Sequence, residues 1–375
     1  MTSGAAIPFA MVGGGPGSFI GPVHRMAAEL DGKLRLVAGA FSRDAAKSRA
    51  AGEAWGARSY ADWREMVAAE AGREDGARLV AIVTPNDTHF EIAKGALEAG
   101  LHVMSDKPAT RDLAEAQALA RTVAASGKLY GLTHVYTGYP MVREAREIVA
   151  RGELGAVRKV VVEYSQGWLS EPVERESKQA AWRTDPAQAG VGGCIGDIGV
   201  HAFNLAEFIV GNPVTRICPD VAAVAPGRTL DDDCNVLLRF AGGARGVLIA
   251  SQISAGARNG LNIQVYGEKG GLSWSHERQT ELVLDWLHGP SQTLHAAAPY
   301  LSGPSQAASR LPTGHPEGFI ESFANLYRDM AEAIASGRSA APIPGIADGV
   351  RAMAFVEQAV AASRAEAGWV ELEAA

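Results

Sequence analysis

Gly13-Gly14-Gly15-Pro16-Gly17-Ser18-Phe19-Ile20-Gly21 follows the apolar run 7–12 and leads into a helix-like segment that continues through Met26. A tight turn between strand and helix needs positive φ. Missing Cβ atoms also let backbone amides approach a pyrophosphate at the helix N-terminus. Gly13 and Gly15 fit the first two positions of G-x-G-x-x-G, whereas Gly21 falls three residues late. On its own such a turn also reads as a flexible loop, so its setting decides.

That setting is a βαβ rhythm. Residues 7–12, 34–40, 79–84 and 101–105 read as buried strands of a parallel sheet covered on both faces. Between the last two, Thr88 and Glu91 predict a capping box, Phe90, Ala93 and Leu97 an apolar stripe, and Gly100 a helix end. A further helix is expected over 110–126, with Leu113, Ala116, Leu119, Ala120 and Val123 turned inward and Gly127 closing it. After Gly131 the texture becomes β-rich at 157–164, 234–240, 245–254 and 261–266, which predicts a mostly antiparallel sheet with one open face. Residues 171–193 and 290–316 read as irregular lid or binding loops, and 346–363 as an amphipathic helix. The chain thus divides into an α/β dinucleotide-type domain, 1–130, and a second α/β domain, 131–375.

A net charge of −7 provides no basic face for nucleic acid. Cys194, Cys218 and Cys234 are odd in number and widely spaced, forming neither a disulfide framework nor a zinc pattern, and read as reduced, cytoplasmic thiols. No run of the roughly 20 apolar residues that a span requires is present, so no membrane partner is expected.

At the end of the second strand, Ser42-Arg43 points to a phosphate-bearing cofactor, while Asp44 can still serve the ribose 2′-hydroxyl of NAD; Arg43 as a plain solvated surface charge is the alternative. NAD and NADP both stay open. Thr84-Pro85-Asn86-x-x-His89 and Ser105-Asp106-Lys107-Pro108 end two other strands, where ligands of an open α/β sheet bind. Pro108 biases Lys107 toward an extended backbone, which suits an aimed side chain; a surface lysine before a turn is the plain alternative. In Gly192-Gly193-Cys194-Ile195-Gly196-Asp197-Ile198-Gly199-Val200-His201, Asp197 and His201 lie four apart and would share a helix face. No third ligand stands near them, so no metal is expected; a structural hydrogen-bonded pair is the alternative.

Together, the glycine turn, Asp106-Lys107-Pro108 in place of the usual Glu-Lys-Pro, and Gly-Asp-Ile-Gly-x-His resemble the Gfo/Idh/MocA family, the glucose–fructose oxidoreductase and inositol dehydrogenase group. The resemblance spans nearly the whole chain. It implies a Rossmann domain, a second domain with a large open sheet, and homodimers or homotetramers built through such sheets. It also places Lys107, Asp197 and His201 on the family's catalytic positions. Cofactor positions are then expected at Gly13, Gly15, Gly17, Ser18, Phe19, Ile20, Ser42, Arg43, Thr84, Pro85, Asn86, His89, Asp106 and Lys107. The longer glycine turn, and Ser42 where many members carry Asp, depart from the family pattern.

Oxidation of a secondary alcohol removes a hydroxyl proton as hydride leaves for nicotinamide, and a histidine near neutrality suits the proton's removal. The expected reaction is NAD(P)-dependent oxidation of a sugar, sugar derivative or polyol, with His201 as base. Aromatic faces mixed with polar and cationic groups suit a sugar, anionic or neutral. His134, Gln166, Trp168, Lys178, Trp182, Arg183 and His315 are therefore the substrate candidates. For the two tryptophans, ordinary core packing is the alternative. Two other functions fit the same residues: an NAD-dependent glycosidase working by oxidation, elimination, hydration and reduction, and a non-catalytic NAD(P)-binding sensor.

Overall fold

Residues 5–174, 186 and 190–372 are described in the structure, a computed structural model. The chain forms two units. One comprises the residues up to Gly138 with Gly318–Val350, the other Tyr139–Glu317 with the residues from Arg351 on.

In the first unit, β1 (Ile7–Gly13), α1 (Ile20–Glu29), β2 (Leu34–Ala40), α2 (Ala45–Trp55), β3 (Arg58–Ser59), α3 (Trp63–Ala71), β4 (Leu79–Val83), α4 (His89–Glu98), β5 (His102–Ser105), α5 (Leu113–Ser126) and β6 (Tyr130–Leu132) alternate. Their strands form one parallel sheet in the order β3-β2-β1-β4-β5-β6. This is the Rossmann order, with its switch point between β1 and β4. β4 is buried at every residue because helices cover both faces, which is why its sequence reads as a continuous apolar run. Gly100 and Gly127 end their helices at φ +85° and +63°. The capping box expected at Thr88 does not form. Thr88 is already helical in backbone, and its hydroxyl donates to the Pro85 carbonyl (2.9 Å) and lies 2.8 Å from the Thr84 hydroxyl, so the side chain serves the preceding turn.

The second unit contains α6 (Pro140–Ala150), β7 (Val157–Ser165), α7 (Val200–Val210), β8 (Val214–Ala222), β9 (Asp233–Phe240), β10 (Arg245–Ser251), β11 (Gly260–Gly267), β12 (Gly270–Ser275), β13 (Glu281–Trp286), β14 (Gln292–His295), α8 (Gly303–Ala307) and β15 (Val370–Glu371). Its nine strands run β14-β13-β12-β11-β7-β10-β9-β8-β15, antiparallel except where β7 meets β10. Strand β9 shows the alternation: Cys234, Val236, Leu238 and Phe240 are buried, while Asn235 and Leu237 face out. The stretch 290–316, expected to be irregular, contains β14 and α8. Its short polar strand pairs with β13 at the sheet edge and carries no apolar alternation to reveal it.

Residues Phe319–Ser336 (α9) return to the first unit and pack against α1. The helix α10 (Ile346–Arg364) begins in the first unit and from Arg351 belongs to the second. No helix among the described residues is long and apolar enough to cross a membrane.

Candidate active site

At the carboxyl end of β1 the chain leaves through Gly13 (φ +77°) and Gly14 (φ +68°). A Cβ on Gly13 would stand 2.7 Å from both Thr84 Cγ2 and the Val83 carbonyl oxygen. One on Gly15 would meet Phe41 O at 3.0 Å. Gly17 (φ +91°) faces open space. The late Gly21 lies in α1 against the backbone of Gly14 and does the close-packing work of a third fingerprint glycine, so the longer turn keeps the same contact. The Ser18 hydroxyl accepts the Gly21 N–H (3.1 Å), Phe19 is 69% exposed, and α1 carries no acidic residue in its first turn. A glycine-rich turn opening onto a helix start of positive partial charge fits a pyrophosphate.

At the end of β2, Ser42 Oγ accepts the Asp44 N–H (3.1 Å) and Arg43 is exposed. Asp44 caps α2, accepting from Ala46 N (2.9 Å) and Lys47 N (3.1 Å), and these backbone donors hold its carboxyl below the usual range. At the end of β4, Thr84 and Asn86 are half-buried and Pro85 is exposed. His89, expected to touch cofactor, is fully buried. Its Nδ1 lies 2.7 Å from Pro108 O and its Nε2 2.8 Å from Thr84 O, so it ties the β4 turn to the β5 turn from beneath.

At the end of β5, Asp106 Oδ1 accepts the Lys107 N–H (2.8 Å) and the Thr133 hydroxyl (2.9 Å), and the Lys107–Pro108 bond is cis. His134, just past β6, is 2% exposed. Burial first, then repulsion from Lys107, lowers its pKa to about 3, so its ring is neutral beside that lysine.

The second unit carries Asp197 and His201. A π-helical turn, Ile195–Gly199, precedes α7. The two residues expected on one α-helix therefore sit on either side of a change in helical register, a distortion common at functional sites. Asp231, which sequence reasoning passed over, organises this turn. Its two carboxylate oxygens accept Gly193 N (2.6 Å) and Ile195 N (2.7 Å), and its own carbonyl accepts Cys194 N (2.8 Å). Gly193 must be glycine, because a Cβ would stand 2.3 Å from Asp231 O. Burial pushes the Asp231 carboxyl up against these donors. Gln252, 2% exposed, donates to Asp197 Oδ2 (2.9 Å). The only sequence signal for Asp231 was the acidic run Asp231-Asp232-Asp233 ahead of a strand.

His201 is 8% exposed, and its ring centroid lies 6.3 Å from that of Tyr164. Around Tyr164 runs a chain of hydrogen bonds. Trp168 Nε1 donates to Gln166 Oε1 (2.9 Å), Gln166 Nε2 to Asn259 Oδ1 (2.7 Å), and Asn259 Nδ2 faces His276 Nδ1 (3.2 Å). His276 Nε2 meets Tyr139 Oη at 3.0 Å, and the Tyr164 hydroxyl donates to Asn259 Oδ1 (2.6 Å). Burial lowers the His276 pKa and keeps the ring neutral; its Nδ1 also lies 3.3 Å from the Asn259 carbonyl oxygen. Gln166 is thus spent on orienting Trp168, which is 36% exposed. His315 lies on an exposed loop with Nδ1 3.2 Å from Pro312 O. Lys178, Trp182 and Arg183 lie outside the described residues.

Residues 7–150 match the oxidoreductase family described by its NAD-binding Rossmann fold, and residues 142–273 match the GFO/IDH/MocA C-terminal domain. The chain is 34% identical to an uncharacterized oxidoreductase, YfiI, of Bacillus subtilis (strain 168), over 97% of its own length and 96% of the relative's. It is 26% identical to the levoglucosan dehydrogenase of Pseudarthrobacter phenanthrenivorans, covering 84% and 83%. Among solved structures, an inositol dehydrogenase homolog from Azotobacter vinelandii, complexed with NAD+, superposes with a TM-score of 0.92 at 36% identity, covering 98% of this chain and 97% of that one.

Proposed function

The chain belongs to the Gfo/Idh/MocA oxidoreductase family, with its NAD-binding Rossmann domain, and from that premise we propose that it is an NAD-dependent dehydrogenase of a cyclic polyol, sugar or sugar derivative. The observation that carries the reading lies within one sheet. Lys107 ends β5 at the same carboxyl edge where the Gly13–Gly21 turn ends β1, next to the switch point. Similarity to a levoglucosan dehydrogenase and to an inositol dehydrogenase homolog supports the substrate class.

The nicotinamide supplies the hydride acceptor. The protein's residues handle the proton and the charge. We assign removal of the hydroxyl proton to His201, stabilisation of alkoxide character to Lys107, and anchoring of a substrate hydroxyl to Asp197. The Gly13–Gly21 turn and the start of α1 would hold the pyrophosphate; within that turn the Gly15 and Ser18 amides already donate to Phe41 O (3.3 Å) and Gly15 O (3.1 Å), which leaves Gly17, Phe19 and Ile20 as the amides we assign to it. The first unit holds the dinucleotide and the second the substrate. Asp44 caps α2 through Oδ1 alone, so its Oδ2 and the Ser42 hydroxyl are both candidates to meet the ribose.

The open sheet face supports association with a second copy. Registered across β8, β9, β10 and β7 are Arg216, Arg239, Arg245 and Lys159, four cations in one row. Two residues along, Cys218, Leu237, Val247 and Val161 make an apolar row. Two further on, Asp220, Asn235, Ile249 and Glu163 bring acidic groups. Like charges directly opposite are destabilising within one sheet. A second copy turned by a two-fold axis sets cations against acids over a shared apolar band.

The test is NAD reduction with cyclic polyols and pyranoses, followed at the reduced-nicotinamide absorbance. Product formation matched by NADH supports the reading. Aglycone release from a glycoside that needs NAD yet accumulates no NADH would replace it with the glycosidase.

A further inference from the structure

Two polar residues far apart in sequence, His24 on α1 and Tyr327 on α9, are buried completely and bonded to one another, Nδ1 to Oη at 2.7 Å. Their surroundings are apolar: the Phe323 ring lies 4.9 Å from the imidazole, and the Phe9 ring 6.5 Å from the phenol. A buried polar pair between packed helices costs stability unless its groups are used. The other imidazole nitrogen faces a use, since Nε2 stands 3.9 Å from Asp106 Oδ2.

We propose that Tyr327 and His24 are positioning residues: Tyr327 fixes the ring tautomer of His24, and His24 then holds the Asp106 carboxylate in the orientation that braces Lys107. This rests on the assignment of Lys107 to the reacting oxygen. Burial and the nearby Asp106 push the Tyr327 hydroxyl well above its ordinary pKa, so it keeps its proton and has one to donate. Burial also lowers the His24 pKa, leaving a neutral ring with one proton. The carboxylate that faces Nε2 favours the tautomer with that proton on Nε2, pointing at Asp106, which leaves Nδ1 to accept from the Tyr327 hydroxyl. The opposite tautomer would set a lone pair against a carboxylate. Asp106 Oδ1 is already taken by Lys107 N and Thr133 Oγ1, so Oδ2 is the oxygen that His24 restrains. At 3.9 Å the contact is electrostatic, longer than a hydrogen bond.

The experiment combines nitrogen-15 NMR of the intact protein with turnover. The proposal expects the wild-type His24 ring to be protonated at Nε2 and bare at Nδ1. Tyr327→Phe keeps the volume and removes the donor; it should populate the other tautomer, move the Lys107 amide proton, and lower kcat about tenfold while KM for NAD changes less than about twofold. His24→Gln offers an N–H toward Asp106 and should restore the Lys107 amide and most turnover, whereas His24→Leu should not. An Nδ1-protonated wild-type ring would overturn the proposal. So would a Lys107 amide or a kcat indifferent to both Tyr327→Phe and His24→Leu. If the wild type oxidises no polyol while the tautomer and amide respond as expected, the dehydrogenase reading fails and the relay stands.

Discussion

Gly21 rests on Gly14 so closely that a Cβ would stand 1.9 Å from the Gly14 carbonyl oxygen. Gly21→Ala must therefore displace backbone, whereas Gly17→Ala meets no atom within 4 Å and suffers only its positive φ. We expect Gly21→Ala to lose about 2–3 kcal/mol and Gly17→Ala about 1 kcal/mol. Urea midpoints together with NADH fluorescence titrations check the order, which equal losses would contradict.

Glu70 accepts a two-pronged Arg58 contact (2.8 and 2.6 Å), the Tyr60 hydroxyl (2.7 Å) and Ala77 N (3.0 Å). Burial pushes its carboxyl up, but Arg58, Tyr60 and the amide together hold it below its ordinary value. A depressed folded-state pKa contributes stability that is present above the unfolded value and lost as pH falls through the folded one. Glu70→Gln should cost about 3 kcal/mol at neutral pH. Its deficit should shrink once the pH drops below the carboxylate range of about 4.3, as urea titrations at several pH values would record.

Lys107→Ala and His201→Ala should each lower kcat by about 10²–10⁴-fold and leave the NADH dissociation constant nearly unchanged. Stopped-flow turnover and fluorescence titration separate the two quantities. Loss of folding in both variants, with full activity per folded molecule, would return these residues to structural roles.

Asn259 takes both Gln166 Nε2 and Tyr164 Oη on one oxygen. Asn259→Ala should free Trp168 and Tyr164 together, raising KM for the polyol about tenfold with less effect on kcat. Gln166→Ala should disturb Trp168 alone and give a smaller rise. Steady-state kinetics of the two variants and their double mutant test the order.

Arg239 stands between Arg216 and Arg245 in the cation row and stacks on Trp369 at 4.2 Å. If the open face joins two copies by charge complementarity, Arg239→Glu should weaken association at low salt, and high salt should weaken the wild type likewise. Sedimentation velocity over a concentration series decides. An assembly unchanged by both would place the interface elsewhere.

The linear chain carried what depends on neighbours in sequence. Buried parallel strands read as apolar runs, helix-ending glycines announced themselves, and the Gly13–Gly21, Asp106-Lys107-Pro108 and Asp197–His201 motifs were legible because each lies within a few residues. What joins distant segments could be settled only by the tertiary structure. The helix Phe319–Ser336 went unread in the sequence, and its packing against α1 places it in the first unit. Gly21 looked three residues late because spacing is counted along the chain, while its role is set by the approach of Gly14 in space. Asp231, Asn259, His24 and Tyr327 bear no motif at all. Their significance lies in donors and acceptors supplied by residues 17 to 303 positions away, and only folding makes those pairings, because a buried polar group must find a partner wherever the chain brings one.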